Sequence, residues 1–200
     1  MEEKHLKISI AHLYPKLLNL YGDIGNIITL KKRCEWRGID VEFEEINIGD
    51  EIKEHDIYFI GGGQDKQQEE VAAELYSHKE FLTEERDRNA VFLGICGGYQ
   101  LFGHYYQPHD KEKLPGISLM DAYTVAGNKR FIGNVTAKTD FLNPPTLVGF
   151  ENHSGLTYLH FADYMIKLAL EKRYGEKIEL KTLDDKLEFQ THNSLIGKAY

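Results

Sequence analysis

The chain has 200 residues, of which 42% are apolar and 28% charged, enough apolar material for a core and too much for a disordered tail. Its 24 Lys and Arg against 32 Asp and Glu leave a net charge of −8, which removes the electrostatic term that nucleic-acid binding depends on. No apolar run approaches the roughly 20 residues needed to cross a bilayer. The acidic start Met1-Glu2-Glu3-Lys4 does not read as a signal peptide, and two cysteines, Cys34 and Cys96, are too few for a disulfide framework or a thiolate metal site. A single soluble cytoplasmic α/β domain over residues 1–200 is expected, with no nucleic-acid or membrane partner.

In chain order, the β-branched alternation of Lys7 to Ala11 predicts a first strand. Leu13 to Asn26 reads as a turn-rich stretch before a helix over Ile27 to Arg37, which Gly38 is placed to end. Asp40 to Ile48 alternates as a second strand. The unbroken run Asp56-Ile57-Tyr58-Phe59-Ile60 predicts a strand buried on both faces, stopped by Gly61-Gly62-Gly63. Gln64 to Arg88 is helical in period and divides into two pieces, and Ala90 to Ile95 is another buried strand ending at Cys96. Such alternation implies βαβ units, a mostly parallel sheet wound on both faces in three layers, and ligands at the carboxyl ends of its strands. After Leu114-Pro115-Gly116, short strands at Ile117 to Val125, Arg130 to Ala137 and Thr146 to Glu151 predict a small antiparallel extension. His160 to Tyr174 is periodic as a helix, before a charged tail.

Gly94-Ile95-Cys96-Gly97-Gly98-Tyr99-Gln100 carries the chemistry. A cysteine between a buried strand and a helix, flanked by glycines, fits a sharp turn that forces the side chain outward. The helix behind it points its unpaired N–H groups at the sulfur and favours the thiolate, and the Gly97 amide is suitably placed to stabilise an oxyanion. The plainer reading is a buried inert cysteine; Cys34, mid-helix and without such a turn, is read that way. Gly61-Gly62-Gly63-Gln64 ends the neighbouring strand with a run of amides able to form an anion-binding concavity. No Gly-Lys-Ser/Thr follows, which excludes a phosphate-binding loop.

These residues resemble the class I (triad-type) glutamine amidotransferases. Gly94 to Gln100 is similar to their nucleophile elbow, and Gly61 to Gln64 stands in the place of their oxyanion loop. Within them the chain is similar to the cobyric-acid-synthase-like branch, and more narrowly to the glutaminase subunits of lipid II isoglutaminyl synthases. Leu18-Asn19-Leu20-Tyr21-Gly22-Asp23-Ile24-Gly25-Asn26, the elbow, and Val148-Gly149-Phe150-Glu151-Asn152-His153-Ser154-Gly155 carry the narrower likeness across most of residues 1–159. The resemblance implies a cytoplasmic glutaminase that releases glutamate and ammonia from L-glutamine. Cys96 would be the nucleophile, and the amides of Gly62, Gly63 and Gly97 would hold the oxyanion. Arg130 would grip the α-carboxylate of glutamine through two parallel hydrogen bonds. The ammonia would pass to a Mur-ligase-like (MurT-type) synthase subunit that amidates D-glutamate of lipid II. No cofactor is expected in this chain; ATP and magnesium belong to that partner.

One element of the family pattern is broken. Relatives take their catalytic histidine from a Tyr-Leu-His-Gly-Pro segment. Here Thr157-Tyr158-Leu159-His160 runs directly into Phe161-Ala162-Asp163-Tyr164, which resembles the helix that follows that segment. Several tens of residues are therefore expected to be missing near Leu159 and His160. His160 is the candidate base. His153 reads as structural or substrate-adjacent and His192 as solvated, and the alternative is that the true base is absent. Three outcomes stay open: a working glutaminase subunit, a non-catalytic scaffold subunit, and a cobyrinate-type amidotransferase subunit.

Overall fold

The computed structural model describes residues 5–20, 22–138, 143–159, 173 and 189–191. Contacts divide the chain into two compact units, one of residues 1–105 with 113–120 and the other of residues 106–112 with 121–200.

The first unit is built on a four-stranded sheet of order β2-β1-β3-β4, formed by β1 (Leu6–Leu13), β2 (Ile39–Ile46), β3 (Ile57–Ile60) and β4 (Val91–Gly94), with every pair parallel. Side chains alternate across such a sheet, so each strand feeds both faces. Ala11, Leu13, Tyr58 and Ile60 enter one cluster with Val71, Leu75, Leu82 and Leu101. Ile10 and Phe59 enter a second with Ile27. Helix α1 (Ile24–Glu35) therefore covers one face, while α2 (Asp65–Ser77), α3 (Lys79–Asp87) and α4 (Gly97–Phe102) cover the other, giving the expected three layers. Gln68, Val71, Ala72 and Leu75 recur at helical spacing on the buried face of α2, which is why that segment folds as a helix against the sheet. The predicted division of Gln64 to Arg88 falls at His78, and Gly38 closes the α1 turn with φ +65°. Helix α1 begins three residues earlier than Ile27 because the Asn19 side chain accepts from the Ile24 amide at 2.9 Å, a cap from outside the helix.

Beyond α4 the chain forms β5 (Tyr105–Gln107), the two-residue β6 (Leu114–Pro115), β7 (Ala122–Lys138), β8 (Thr146–Leu159) and β9 (Phe189–Thr191). In the second unit β5 pairs parallel with β7, β7 antiparallel with β8, and β8 antiparallel with β9. The antiparallel extension is present, but the short strands expected at Ile117 to Val125 and Arg130 to Ala137 are replaced by one strand of 17 residues, and that at Thr146 to Glu151 by one of 14. The reason is a bulge. Between Ala126↔Gly155 and Phe131↔His153 the ladder shifts register, so the polar run Gly127-Asn128-Lys129-Arg130 is absorbed within the strand instead of ending it. The helix expected at His160 to Tyr174 lies outside the described residues, apart from Arg173.

Candidate active site

Strands β3 and β4 are neighbours, and each runs at its carboxyl end into a glycine-rich turn. Cys96 closes the second turn with φ +53° and ψ −111°, a left-handed backbone that a side-chain-bearing residue adopts only when its surroundings impose it. The imposing contacts are visible. A methyl group at Gly98 would lie 2.6 Å from the Ile60 carbonyl oxygen and 2.8 Å from that of Gly61, and one at Gly97 only 1.9 Å from Gln68 Nε2. Helix α4 can therefore begin only where two residues without side chains pass over the end of β3. The cysteine before them is pushed into the strained position, and its side chain is exposed. Cys34, by contrast, sits half-buried in α1.

The first turn lies against the thiol. A methyl group at Gly62 would stand 2.9 Å from Cys96 Cβ and 3.5 Å from Sγ. The backbone groups of the two turns are laced together. Ile95 donates to the Ile60 carbonyl at 3.0 Å, and Gly98 donates to the carbonyls of Gly61 at 3.1 Å and Ile95 at 3.0 Å. Gly62 is held from the other side: its amide donates to Asp23 Oδ2 at 2.9 Å, and its carbonyl accepts from the Leu20 amide at 3.2 Å. The Gly62 amide, one of three expected at an oxyanion, is thus directed at a carboxylate, while among the described residues no hydrogen bond engages the amides of Gly63 or Gly97.

Two further residues complete this neighbourhood. Gln68 is 3% exposed, donates from Nε2 to Gln100 Oε1 at 3.0 Å, and among the described residues leaves its own Oε1 without a partner. His12 is wholly buried on β1 with its ring tilted against Phe59 at 4.9 Å between centroids, and among the described residues neither ring nitrogen has a hydrogen-bond partner. Burial lowers the His12 pKa from its ordinary value, outweighing the nearby Glu45 and Asp23 carboxylates, which raise it. Asp23 belongs to the Leu18 to Asn26 motif, whose sequence alone does not show that it reaches the Gly62 turn. Gln68 carried a signal of its own, a polar residue in an otherwise apolar helical stripe.

In the second unit, Arg130 sits in the β7 bulge, where its Nε donates to Asn152 Oδ1 at 2.8 Å. His153 is held on three sides. Nδ1 faces the Gly155 carbonyl at 3.1 Å, Nε2 faces a Glu151 carboxylate oxygen at 3.2 Å, and Phe131 stacks on the ring at 5.5 Å. Both ring nitrogens of His153 thus face oxygens of β8 itself. Thr157-Tyr158-Leu159 continues β8 directly from Glu151-Asn152-His153. His160 and His192 lie outside the described residues. Among the described residues no group of His, Cys, Asp and Glu could hold a metal ion, and no helix is long and apolar enough to cross a membrane.

Residues 9–185 match the CobB/CobQ-like glutamine amidotransferase domain. The chain belongs to this family. It is 41% identical over 237 positions to the lipid II isoglutaminyl synthase (glutamine-hydrolyzing) subunit GatD of Staphylococcus aureus, covering 96% of each chain. The corresponding subunit of Streptococcus pneumoniae is 40% identical over 156 residues, a match covering 76% of this chain and 60% of that one. A cobyric acid synthase of Clostridium botulinum is 29% identical over 126 residues but is covered only to 25% of its length. Among solved structures, PurLQS from Thermotoga maritima is similar with a TM-score of 0.48 at 14% identity, covering 76% of this chain and 68% of that one. The S. aureus alignment is 37 positions longer than the 200 residues present here, so that relative carries at least this much sequence without a counterpart in this chain.

Proposed function

We propose that this chain is the glutaminase subunit of a cytoplasmic lipid II isoglutaminyl synthase. The observation that carries the reading is the exposed Cys96 thiol, held at positive φ at the end of β4 beside the Gly61-Gly62-Gly63 turn. In the proposed reaction the Cys96 thiolate attacks the side-chain carbonyl carbon of L-glutamine. The negative charge that develops on the oxygen is met by the amides of Gly63 and Gly97, the two left uncommitted. Collapse of that intermediate breaks the C–N bond, the nitrogen leaves as ammonia with a proton from the base, and water then hydrolyses the γ-glutamyl thioester to glutamate. Arg130, oriented by Asn152, is proposed to hold the α-carboxylate of the substrate. The ammonia passes to a Mur-ligase-like partner, which supplies the ATP and magnesium chemistry and amidates D-glutamate of lipid II.

His160 is the base on this reading. A second reading rests on the missing positions and on the strand that carries Thr157 to Leu159 onward from the Glu151 segment. If the segment lost after Leu159 held the base, the chain acylates without turning over and serves its partner as a scaffold. Stoichiometry separates the two. A glutaminase releases glutamate continuously from L-glutamine, and Cys96→Ala lowers the rate by more than about a thousandfold. A chain without its base releases no more than one ammonia per Cys96. Glutamate release that survives Cys96→Ala would refute both.

A further inference from the structure

We infer that Asp23 is a positioning residue: its carboxylate fixes the Gly61–Gly62 peptide, and through that peptide it sets which amides of the two turns face the Cys96 thiol. The inference deepens the glutaminase reading and rests on it. A trans peptide is planar, so its N–H and C=O point in opposite directions. The N–H of the Gly61–Gly62 peptide is that of Gly62, aimed at Asp23 Oδ2 at 2.9 Å. Its C=O is that of Gly61, which must then point the other way, and it accepts from the Gly98 amide at 3.1 Å. A single peptide thus connects a buried carboxylate to the first turn of α4. The next peptide obeys the same geometry. Its C=O is that of Gly62, aimed at the Leu20 amide at 3.2 Å, so the Gly63 N–H is turned away from the segment that carries Leu20 and Asp23.

Asp23 is 6% exposed, and Gly62 is the one donor to its side chain among the described residues. A buried carboxylate is costly unless it is hydrogen-bonded, and a charged acceptor polarises each bond in a chain beyond it. The loop supplies the donor because nothing else fits: a methyl group at Gly61 would lie 3.0 Å from Asp23 Cβ and Oδ2 and 2.2 Å from the Leu18 carbonyl oxygen. With Gly62 and Gly98 both committed through this chain, the elbow and the loop each keep one uncommitted amide, Gly97 and Gly63. That arrangement gives a role to the acid that stands beside the Asn19 cap, in a segment far in sequence from either turn.

The test uses the whole chain with three readouts on Asp23→Ala and Asp23→Asn. NMR-detected hydrogen exchange reports on the Gly98 amide, and Cys96 alkylation is timed with iodoacetamide and with a diazoketone analogue of glutamine, whose carbonyl needs the oxyanion donors. Asp23→Ala is expected to speed Gly98 exchange about tenfold, the size of one net hydrogen bond. It is expected to slow the diazoketone about a hundredfold, the cost of one misplaced oxyanion donor, with iodoacetamide unaffected. Asp23→Asn keeps an oxygen acceptor and should recover most of both effects. Unchanged Gly98 exchange in Asp23→Ala overturns the inference, as does equal slowing of the two reagents without rescue by Asp23→Asn. Should the unaltered chain ignore the diazoketone, the glutaminase reading falls, and Gly98 exchange alone decides the role of Asp23.

Discussion

The turn after β3 and the turn after β4 leave neighbouring parallel strands at the same edge, both rich in glycine and both leading into helices, yet they are built in opposite ways. At the first, Gln64 enters α2 with φ −76° and ψ 163°, an ordinary extended backbone, and what the turn presents is main-chain amide. At the second, Cys96 enters α4 with φ +53°, and what the turn presents is a side chain. The difference teaches a division of labour. Strain is confined to the residue whose side chain must project, and the turn that offers only N–H groups is kept in place by donors at Leu20 and Gly98 and by the Asp23 carboxylate as acceptor.

The largest effect that would break the contrast is expected at Gly98. Its added methyl would meet the backbone carbonyls of Ile60 and Gly61, which cannot rotate away, so Gly98→Ala should cost about 3 kcal/mol by denaturant unfolding and abolish Cys96 alkylation by the diazoketone. Next is the strain itself. Cys96→Gly removes the positive-φ penalty and should stabilise the chain by about 1 kcal/mol, whereas Cys96→Ala keeps that backbone and should be nearly neutral; equal stability of the two would show the turn is unstrained. Gln64→Gly, at the relaxed turn, should show no such gain. The finest probe is pH. Burial holds His12 below its ordinary pKa of 6.5, so in the window beneath 6.5 the unfolded chain binds a proton that the native one refuses. Stability therefore rises with pH through that window and falls as the solution is acidified below 6.5; thermal melts of His12→Phe should show a flatter slope than the unaltered chain.

Much of the first unit was legible because burial writes itself into short-range pattern. Ile57 to Ile60 is apolar on both faces because helices cover both faces, and the glycines around Cys96 declare a close approach before the approaching atoms are known. What escaped was long-range. Asp23 and Gly62 are 39 residues apart, and no local periodicity says that one accepts from the other. The second unit was harder for a different reason. Ile132, Val148 and Phe150 are more than half exposed, so apolar residues in β7 and β8 do not mark a buried face, and the polar bulge at Asn128 to Arg130 resembles a loop end. His153 reads in the sequence as structural or substrate-adjacent; the Glu151 carboxylate and the Phe131 ring beside it become visible only with the β7–β8 register.

The order β2-β1-β3-β4 has one last consequence. Because β3 and β4 are immediate neighbours, the sulfur and the amide-bearing turn are offset by a single inter-strand step, about 4.8 Å in any sheet. That spacing is set by main-chain hydrogen bonds between the strands and not by side chains. The separation of the two turns is therefore a property of the sheet, which exchanging one side chain for another leaves in place.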